Sequence, residues 1–195
     1  PADRTHDLPV VMVHGKGQTG TNFTGTPDGR RGWLHDFLRA GYAVYVVDQP
    51  ERGRSGHVAS SYARPGALAA TTADHVSQRL VGFKADMRWP MAHQHTQWPG
   101  SGKRGDVAFD QFYASQVESL TDSRRTQELN RDALCALLDR IGHAIVLTHS
   151  QAGAFGWLLA DARPELVSAI IAIEPTGPPF RDVVFQGDDA DWYRY

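Results

Sequence analysis

Ala144-Ile145-Val146-Leu147-Thr148-His149-Ser150-Gln151-Ala152-Gly153-Ala154-Phe155 is an apolar run that stops at a serine and passes at once into a small-residue helical pattern. A continuous run of Val, Ile and Leu suits a strand buried on both faces, and a helix directly behind it makes a strand–turn–helix unit. So sharp a turn lifts one hydroxyl above the end of a parallel sheet, the arrangement called a nucleophile elbow. Strand and helix backbones nearly touch across it, so small residues are favoured two places before and two places after the serine. Ala152 meets that requirement and Thr148 meets it passably. The G-x-S-x-G form itself is absent, with Gly153 one place late. A serine after a strand is also commonly a helix cap or a loop residue, so the reading rests on what surrounds Ser150.

Three further apolar runs, Val10 to Val13, Ala43 to Val47 and Ala169 to Ile173, have the same unalternating Val/Ile-rich character. Helical stripes separate them. Trp33, Leu34, Phe37 and Leu38 form one, stopped by Gly41. Leu129, Ala133, Leu134, Leu137, Leu138 and Ile141 form a second, closed by Gly142, and Phe155, Leu158, Leu159 and Ala162 form a third that ends near Pro164. Strand–helix alternation of this kind predicts an α/β protein, a three-layer sandwich with a mostly parallel sheet between helices.

The segment from about 57 to 120 breaks the rhythm. It holds Phe83, Met87, Trp89, Met91, Trp98, Phe109, Phe112 and Tyr113 among glycines and prolines, and its one regular stretch is expected as a short helix near Thr72 to Leu80. A loop this long inside a compact domain usually has a function. It reads either as an insertion near a pocket, within a single domain spanning 1–195, or as a surface excursion whose aromatics fill a satellite core.

Bulk properties narrow the classes. The 195 residues suffice for one well-buried domain, with 41% hydrophobic and 22% charged residues. A formal net charge of −2 gives no reason to expect nucleic acid or an anionic membrane as partner. No apolar run approaches the ~20 residues of a membrane span, and no signal-peptide pattern opens the chain, so a soluble protein is expected. Cys135, the single cysteine, sits in a helical stripe and reads as a buried thiol.

Gly15-Lys16-Gly17-Gln18-Thr19-Gly20 matches G-x-G-x-x-G after a strand, and Asp48 ends the next strand, where a ribose-binding acid would stand. A dinucleotide site needs the third glycine to open a helix whose N-terminus holds the pyrophosphate. Thr21 to Gly29 is instead a turn-rich loop, and Gly20 to Asp48 exceeds the usual ~20-residue spacing. A P-loop fails because Thr21-Asn22 stands where Lys-Ser/Thr is required. His14-Gly15 at a strand end fits better as the start of a loop that offers backbone N–H groups to an oxyanion.

With these residues in place, the sequence resembles the α/β-hydrolase family. Four segments match in order: V-V-M-V-H-G-K-G, G-Y-A-V-Y-V-V-D-Q-P-E-R-G-R-S, V-L-T-H-S-Q-A-G and A-I-I-A-I-E-P-T-G-P-P-F. More narrowly it resembles a bacterial and fungal esterase subfamily marked by P-D-G-R-x-G-W, D-Q-x-x-R-G-R-S, an H-S-Q elbow and E-P-x-G-P-P-F. The resemblance spans about Val10 to Phe180 apart from the variable middle. It implies that the Ser150 strand lies between the Val10–Val13 strand and the Ala169–Ile173 strand. Ser150 would then be the nucleophile, with Glu174 as triad acid and backbone N–H groups of Gln151 and of Lys16 or Gly17 as the oxyanion hole. Asp182, Asp188, Asp189 and Asp191 are the alternative acids. Lys16-Gly17 stands where relatives can have a cysteine pair, so any disulfide rigidity is absent there.

Serine needs a histidine to take its proton, and in this fold the chain order is Ser, acid, His. No histidine follows His149. The side chain of His149 is expected to point away from the hydroxyl, and His14 to pack structurally. His93 and His95 form an H-x-H pair without a third ligand nearby, and His6, His35, His57, His75 and His143 have no supporting context. The catalytic histidine is therefore expected beyond Tyr195, in a fold incomplete at both ends. The expected activity is hydrolysis of small-molecule carboxylic esters or lactones with an apolar portion, through an acyl-enzyme, with no metal and no organic cofactor. The rival reading is a non-catalytic ligand-binding protein on the same fold. The sequence leaves the natural ester, the oligomeric state and the compartment open.

Overall fold

The computed structural model describes residues 4–56, 67–81, 94 and 97–179. Its centre is a four-stranded parallel sheet of β1 (Val10–Val13), β2 (Val44–Val47), β5 (Ala144–His149) and β6 (Val167–Ile173), in the spatial order β2-β1-β5-β6. The Ser150 strand thus lies where the motif order puts it, between β1 and β6. Helix α1 (Leu34–Arg39) connects β1 to β2, α4 (Ser123–Ile141) leads into β5, and α5 (Ala152–Ala162) joins β5 to β6.

Pleating sends alternate residues of β1 to opposite faces. Val11 and Val13 pack with Leu134, Leu138, Phe155 and Leu159 of α4 and α5. Val10 and Met12 pack with Phe23, Leu147 and Phe37 on the α1 side. All four β1 residues are fully buried, each contributing about 1.5–3 kcal/mol by leaving water. Helices on both faces explain why the strand sequences run apolar without alternation, and they make the three layers. Cys135 is buried in the α4 side of this core, and burial pushes its thiol pKa up.

The middle segment is more regular than its composition suggests. The helix expected near Thr72 to Leu80 is one α-helical turn, α2 (Ala73–Val76), capped by Thr72 and continued by a π-helical stretch Ser77–Val81. A second helix, α3 (Val107–Ala114), is capped by Asp106, whose carboxylate accepts the N–H groups of Ala108 and Phe109. Strands β3 (Leu68–Ala69) and β4 (Ser119–Leu120) pair antiparallel. Phe109 is fully buried among Ala73, Val76 and Val81, with Trp98, Phe112 and Tyr113 packed around it. These four aromatics form a satellite core of their own. Phe83, Met87, Trp89 and Met91 lie outside the described residues, as do His57, His93, His95, Asp182, Asp188, Asp189 and Asp191.

Candidate active site

Ser150 sits in the turn between β5 and α5 with φ 54°, a left-handed conformation that a non-glycine residue rarely adopts. Such a residue costs on the order of 1–3 kcal/mol and persists only where its surroundings fix it. Here the Ser150 N–H donates to the Ile173 carbonyl at 3.0 Å, and the Ser150 carbonyl accepts from the N–H groups of Gly153 at 3.0 Å and Thr176 at 2.9 Å. The Thr176 hydroxyl adds a third bond to the same carbonyl at 3.2 Å. Ser150 is thereby tied to both sides of Glu174, which directly follows β6 and is itself left-handed at φ 42°.

The glycines of α5, Gly153 of the displaced motif among them, have packing reasons. A Cβ on Gly153 would stand 2.5 Å from Pro175 Cβ and 3.1 Å from the Thr176 carbonyl oxygen. Gly153 is one place late because it makes room for the segment behind Glu174. One turn further along α5, a Cβ on Gly156 would meet Thr148 Cγ2 at 3.0 Å. The threonine two places before Ser150 fits because the residue facing it across the helix has no side chain.

Gly15 closes the other side. A Cβ built there would lie 3.1 Å from Ser150 Cβ, 3.1 Å from His149 Nδ1 and 3.2 Å from Gln18 Oε1. The loop carrying Lys16 and Gly17 therefore starts in contact with the serine turn. Among the described residues no acceptor takes the N–H of Lys16, Gly17 or Gln151. Gln151 precedes the first turn of α5 and caps it with no side-chain bond, so its N–H joins the partial positive charge of the helix N-terminus. The Lys16 side chain is exposed. The middle segment reaches this loop, since the Val117 N–H donates to the Gly17 carbonyl at 2.8 Å.

His14 is fully buried with both ring nitrogens engaged. The Gln49 N–H donates to Nε2 at 3.0 Å, which places the proton on Nδ1, and Nδ1–H donates to the Gly15 carbonyl at 2.9 Å. Burial lowers its pKa to about 4, so it is a neutral structural group with no proton site to spare. His149 is half-buried against Gly15, with Nδ1 unpartnered among the described residues. Burial lowers its pKa, against a smaller upward pull from the nearby Glu174 charge.

Asp48 and Arg52, on the loop after β2, are buried as well. Burial pushes the Asp48 carboxyl pKa up, but bonds from the Arg54 side chain and backbone and from the Gly20 N–H outweigh it and hold the pKa at about 2. Gly20 is the third glycine of the G-x-G-x-x-G pattern, and its N–H is thus taken by a carboxylate of the chain itself. Only a 3-10 turn, Gly20–Phe23, follows it. The pattern offers neither a free anion cradle nor a free ribose acid. Arg52 donates from Nη1 to the Gly15 carbonyl at 3.1 Å and from Nη2 to Gln151 Oε1 at 3.0 Å. Sequence reasoning assigned this arginine no role.

Ser150, Glu174, Gln151 and the 15–17 loop all gather at the C-terminal ends of the parallel strands, where open α/β sheets bind ligands. A depression of about 380 Å³ among Pro9, Ala43, Tyr45 and His143 lies at the opposite strand ends. Among the described residues no three His, Cys, Asp or Glu side chains gather as a metal site would, and no helix is long and apolar enough to cross a membrane.

The architecture is the α/β-hydrolase fold. Along 180 residues, 92% of its length, the chain is 49% identical to a protein named probable secreted lipase phiG from a fungal species. The atomic-resolution structure of a novel bacterial esterase superposes on 88% of the chain with a TM-score of 0.67 and 28% identity. An extracellular α/β-hydrolase from a Paenibacillus species, described as sharing structural and functional homology with tobacco salicylic acid binding protein 2, gives a TM-score of 0.46 at 11% identity, over 89% of this chain and 43% of its own. The chain spans about half the length of the first two relatives, 48% and 54%. No family profile matches it.

Proposed function

We propose that this chain carries the nucleophile, the triad acid and the oxyanion hole of a serine hydrolase that cleaves carboxylic esters or lactones through an acyl-enzyme. One observation carries the reading: Ser150 is held in a left-handed turn above the sheet by hydrogen bonds to Ile173 and Thr176, the residues that bracket Glu174. A helix cap has no need of that strain. The lipase and esterase names of the two most informative relatives support the ester class.

In this reading Ser150 Oγ attacks the ester carbonyl carbon while a histidine takes its proton. The C–O bond then breaks, and the same histidine returns the proton to the departing alkoxide; water reverses the sequence to release the acid. The Gln151 N–H and an N–H of Lys16 or Gly17 receive the oxyanion. Glu174 orients the imidazole and stabilises it when charged. His14 is excluded as base by its two occupied nitrogens. We assign the base to polypeptide beyond Tyr195, in keeping with relatives about twice as long.

The substrate is a small ester with an apolar acyl or aryl part. The contact of Val117 with Gly17 supports the middle segment as one wall of the pocket, although the four described aromatics serve its own core. Replacement of Ser150 by alanine in the full-length protein tests the reading. Turnover of a p-nitrophenyl ester should fall by several powers of ten, and retention of more than about a tenth of it would remove Ser150 from the role.

A further inference from the structure

We propose that Arg52 is the positioning residue of the oxyanion hole, a single guanidinium that fixes both the peptide presenting the Lys16 N–H and the residue presenting the Gln151 N–H. The inference rests on the serine hydrolase reading above and goes beyond it by selecting Lys16 over Gly17 as the loop donor.

The Gly15–Lys16 peptide is held at its oxygen. Its carbonyl oxygen accepts from two directions, His14 Nδ1 at 2.9 Å and Arg52 Nη1 at 3.1 Å. The peptide is trans, so its C=O and N–H point opposite ways. Two donors that fix the Gly15 oxygen therefore also fix the direction of the Lys16 N–H, away from His14 and Arg52. That N–H has no acceptor among the described residues. The adjoining Gly15 lies against Ser150 Cβ. The Lys16–Gly17 peptide, which carries the Gly17 N–H, has no such pair of donors on its oxygen among the described residues, and the carbonyl two peptides on, that of Gly17, accepts from Val117.

The second arm of the fork reaches Gln151 Oε1 at 3.0 Å. This bond joins residues 99 positions apart and draws the Gln151 side chain toward the β2 loop. It keeps that side chain from folding back as a cap on α5, where it would compete for the helix N-terminal N–H groups. A planar guanidinium can hold two acceptors on separate nitrogens at once, which an ammonium on a flexible stem does poorly.

Arg52 is 4% exposed, and no carboxylate among the described residues pairs with it. A buried cation facing only neutral oxygens is costly, and such a cost is most easily understood where the charge serves a purpose. Burial lowers the Arg52 pKa to about 10, which leaves it cationic at neutral pH. Behind the two donors it adds a fixed positive charge to a site where negative charge develops in the transition state.

The test compares Arg52→Met and Arg52→Lys with the wild type in the full-length protein. Rates are expressed per active site, counted by fluorophosphonate titration, so that loss of folded protein does not register as loss of kcat. Arg52→Met should lower kcat for a p-nitrophenyl ester roughly 10–100-fold with KM within about twofold, since a displaced donor removes stabilisation felt only in the transition state. Affinity for a trifluoromethyl ketone, whose serine adduct carries an oxyanion, should fall in parallel. Arg52→Lys should recover part of both losses. Unchanged kcat per site in Arg52→Met, or a raised KM with unchanged kcat, would overturn the assignment. If Arg52→Met does not fold, Gln151→Met removes only the elbow-side acceptor and should still lower kcat several-fold at constant KM; wild-type kcat there would equally overturn it. A wild-type protein that fluorophosphonate does not label brings down the serine hydrolase reading itself, which separates the two failures.

Discussion

The backbone N–H of Thr176 donates to the carbonyl of Ser150 at 2.9 Å, and this bond ties the turn after β6 to the turn after β5. With the Ser150 N–H bound to Ile173, it fixes where Glu174 stands relative to the serine, although the two are 24 positions apart in sequence. The position of Glu174 therefore depends on backbone geometry at the ends of two adjacent parallel strands, and substitutions that disturb either turn should act on both residues.

Glu174→Gln keeps the shape of the side chain and removes the charge. Turnover of a p-nitrophenyl ester by the full-length protein should fall several hundred-fold or more, by analogy with the ~10⁴ that loss of a triad acid costs. Wild-type activity in this variant, together with sensitivity at Asp182, Asp188, Asp189 or Asp191, would move the acid out of the turn after β6.

Gly153→Ala tests the packing between the two turns. The new Cβ would stand 2.5 Å from Pro175 Cβ, a distance that real contacts do not adopt. Pro175 must shift and carry Glu174 with it. Chemical denaturation should register a loss of about 1–3 kcal/mol, and activity should drop at temperatures where the variant is still folded. Unaltered stability and activity would mean that the two turns are not coupled in this way.

His14 makes stability depend on pH. Its pKa is about 4 in the folded chain against 6.5 for a free imidazole, because burial disfavours the charged ring. The unfolded chain therefore takes up the proton first. The contribution is fully present above pH 6.5, declines as pH falls, and is lost once pH passes about 4. The difference of about 2.5 units corresponds to about 3 kcal/mol. Urea unfolding at pH 7 and pH 4.5 should show most of that decline, with His149 adding in the same direction. Replacement by glutamine should flatten the slope, and an equal slope in His14→Gln would assign it elsewhere.

Much of this arrangement is legible in the chain itself. The four unalternating apolar runs mark the four strands to within two residues, because a sheet covered on both faces leaves little room for polar side chains. The elbow serine and the strand-end glutamate stand out because each follows directly on such a run. What escapes sequence reading is packing between distant segments. Gly153 looks like a displaced motif residue until Pro175 is seen against it. Arg52 looks like one basic residue of R-G-R-S until its fork is seen to reach Gly15 and Gln151. Helix α3 was hidden by the glycines on its N-terminal side, although Asp106 at its start is an ordinary N-cap signal. The G-x-G-x-x-G match misleads for a related reason, since nothing local reveals that the Gly20 N–H belongs to Asp48.

Residues 1–195 alone should be poor catalysts. Without a base the oxyanion hole can still bind a transition-state mimic, but ester turnover should lag the longer protein by about 10²–10⁴. Comparable rates for the two, abolished by replacing His93 or His95, would point to a different site in the middle segment.

The central claim, that Ser150 is a nucleophile, is tested most directly by reacting the full-length protein with a fluorophosphonate and mapping the adduct by peptide mass spectrometry. The account predicts stoichiometric labelling at Ser150, loss of ester hydrolysis in step with labelling, and no label in Ser150→Ala. Tight ligand binding without any labelling, or an adduct at another residue with hydrolysis intact in Ser150→Ala, would contradict it.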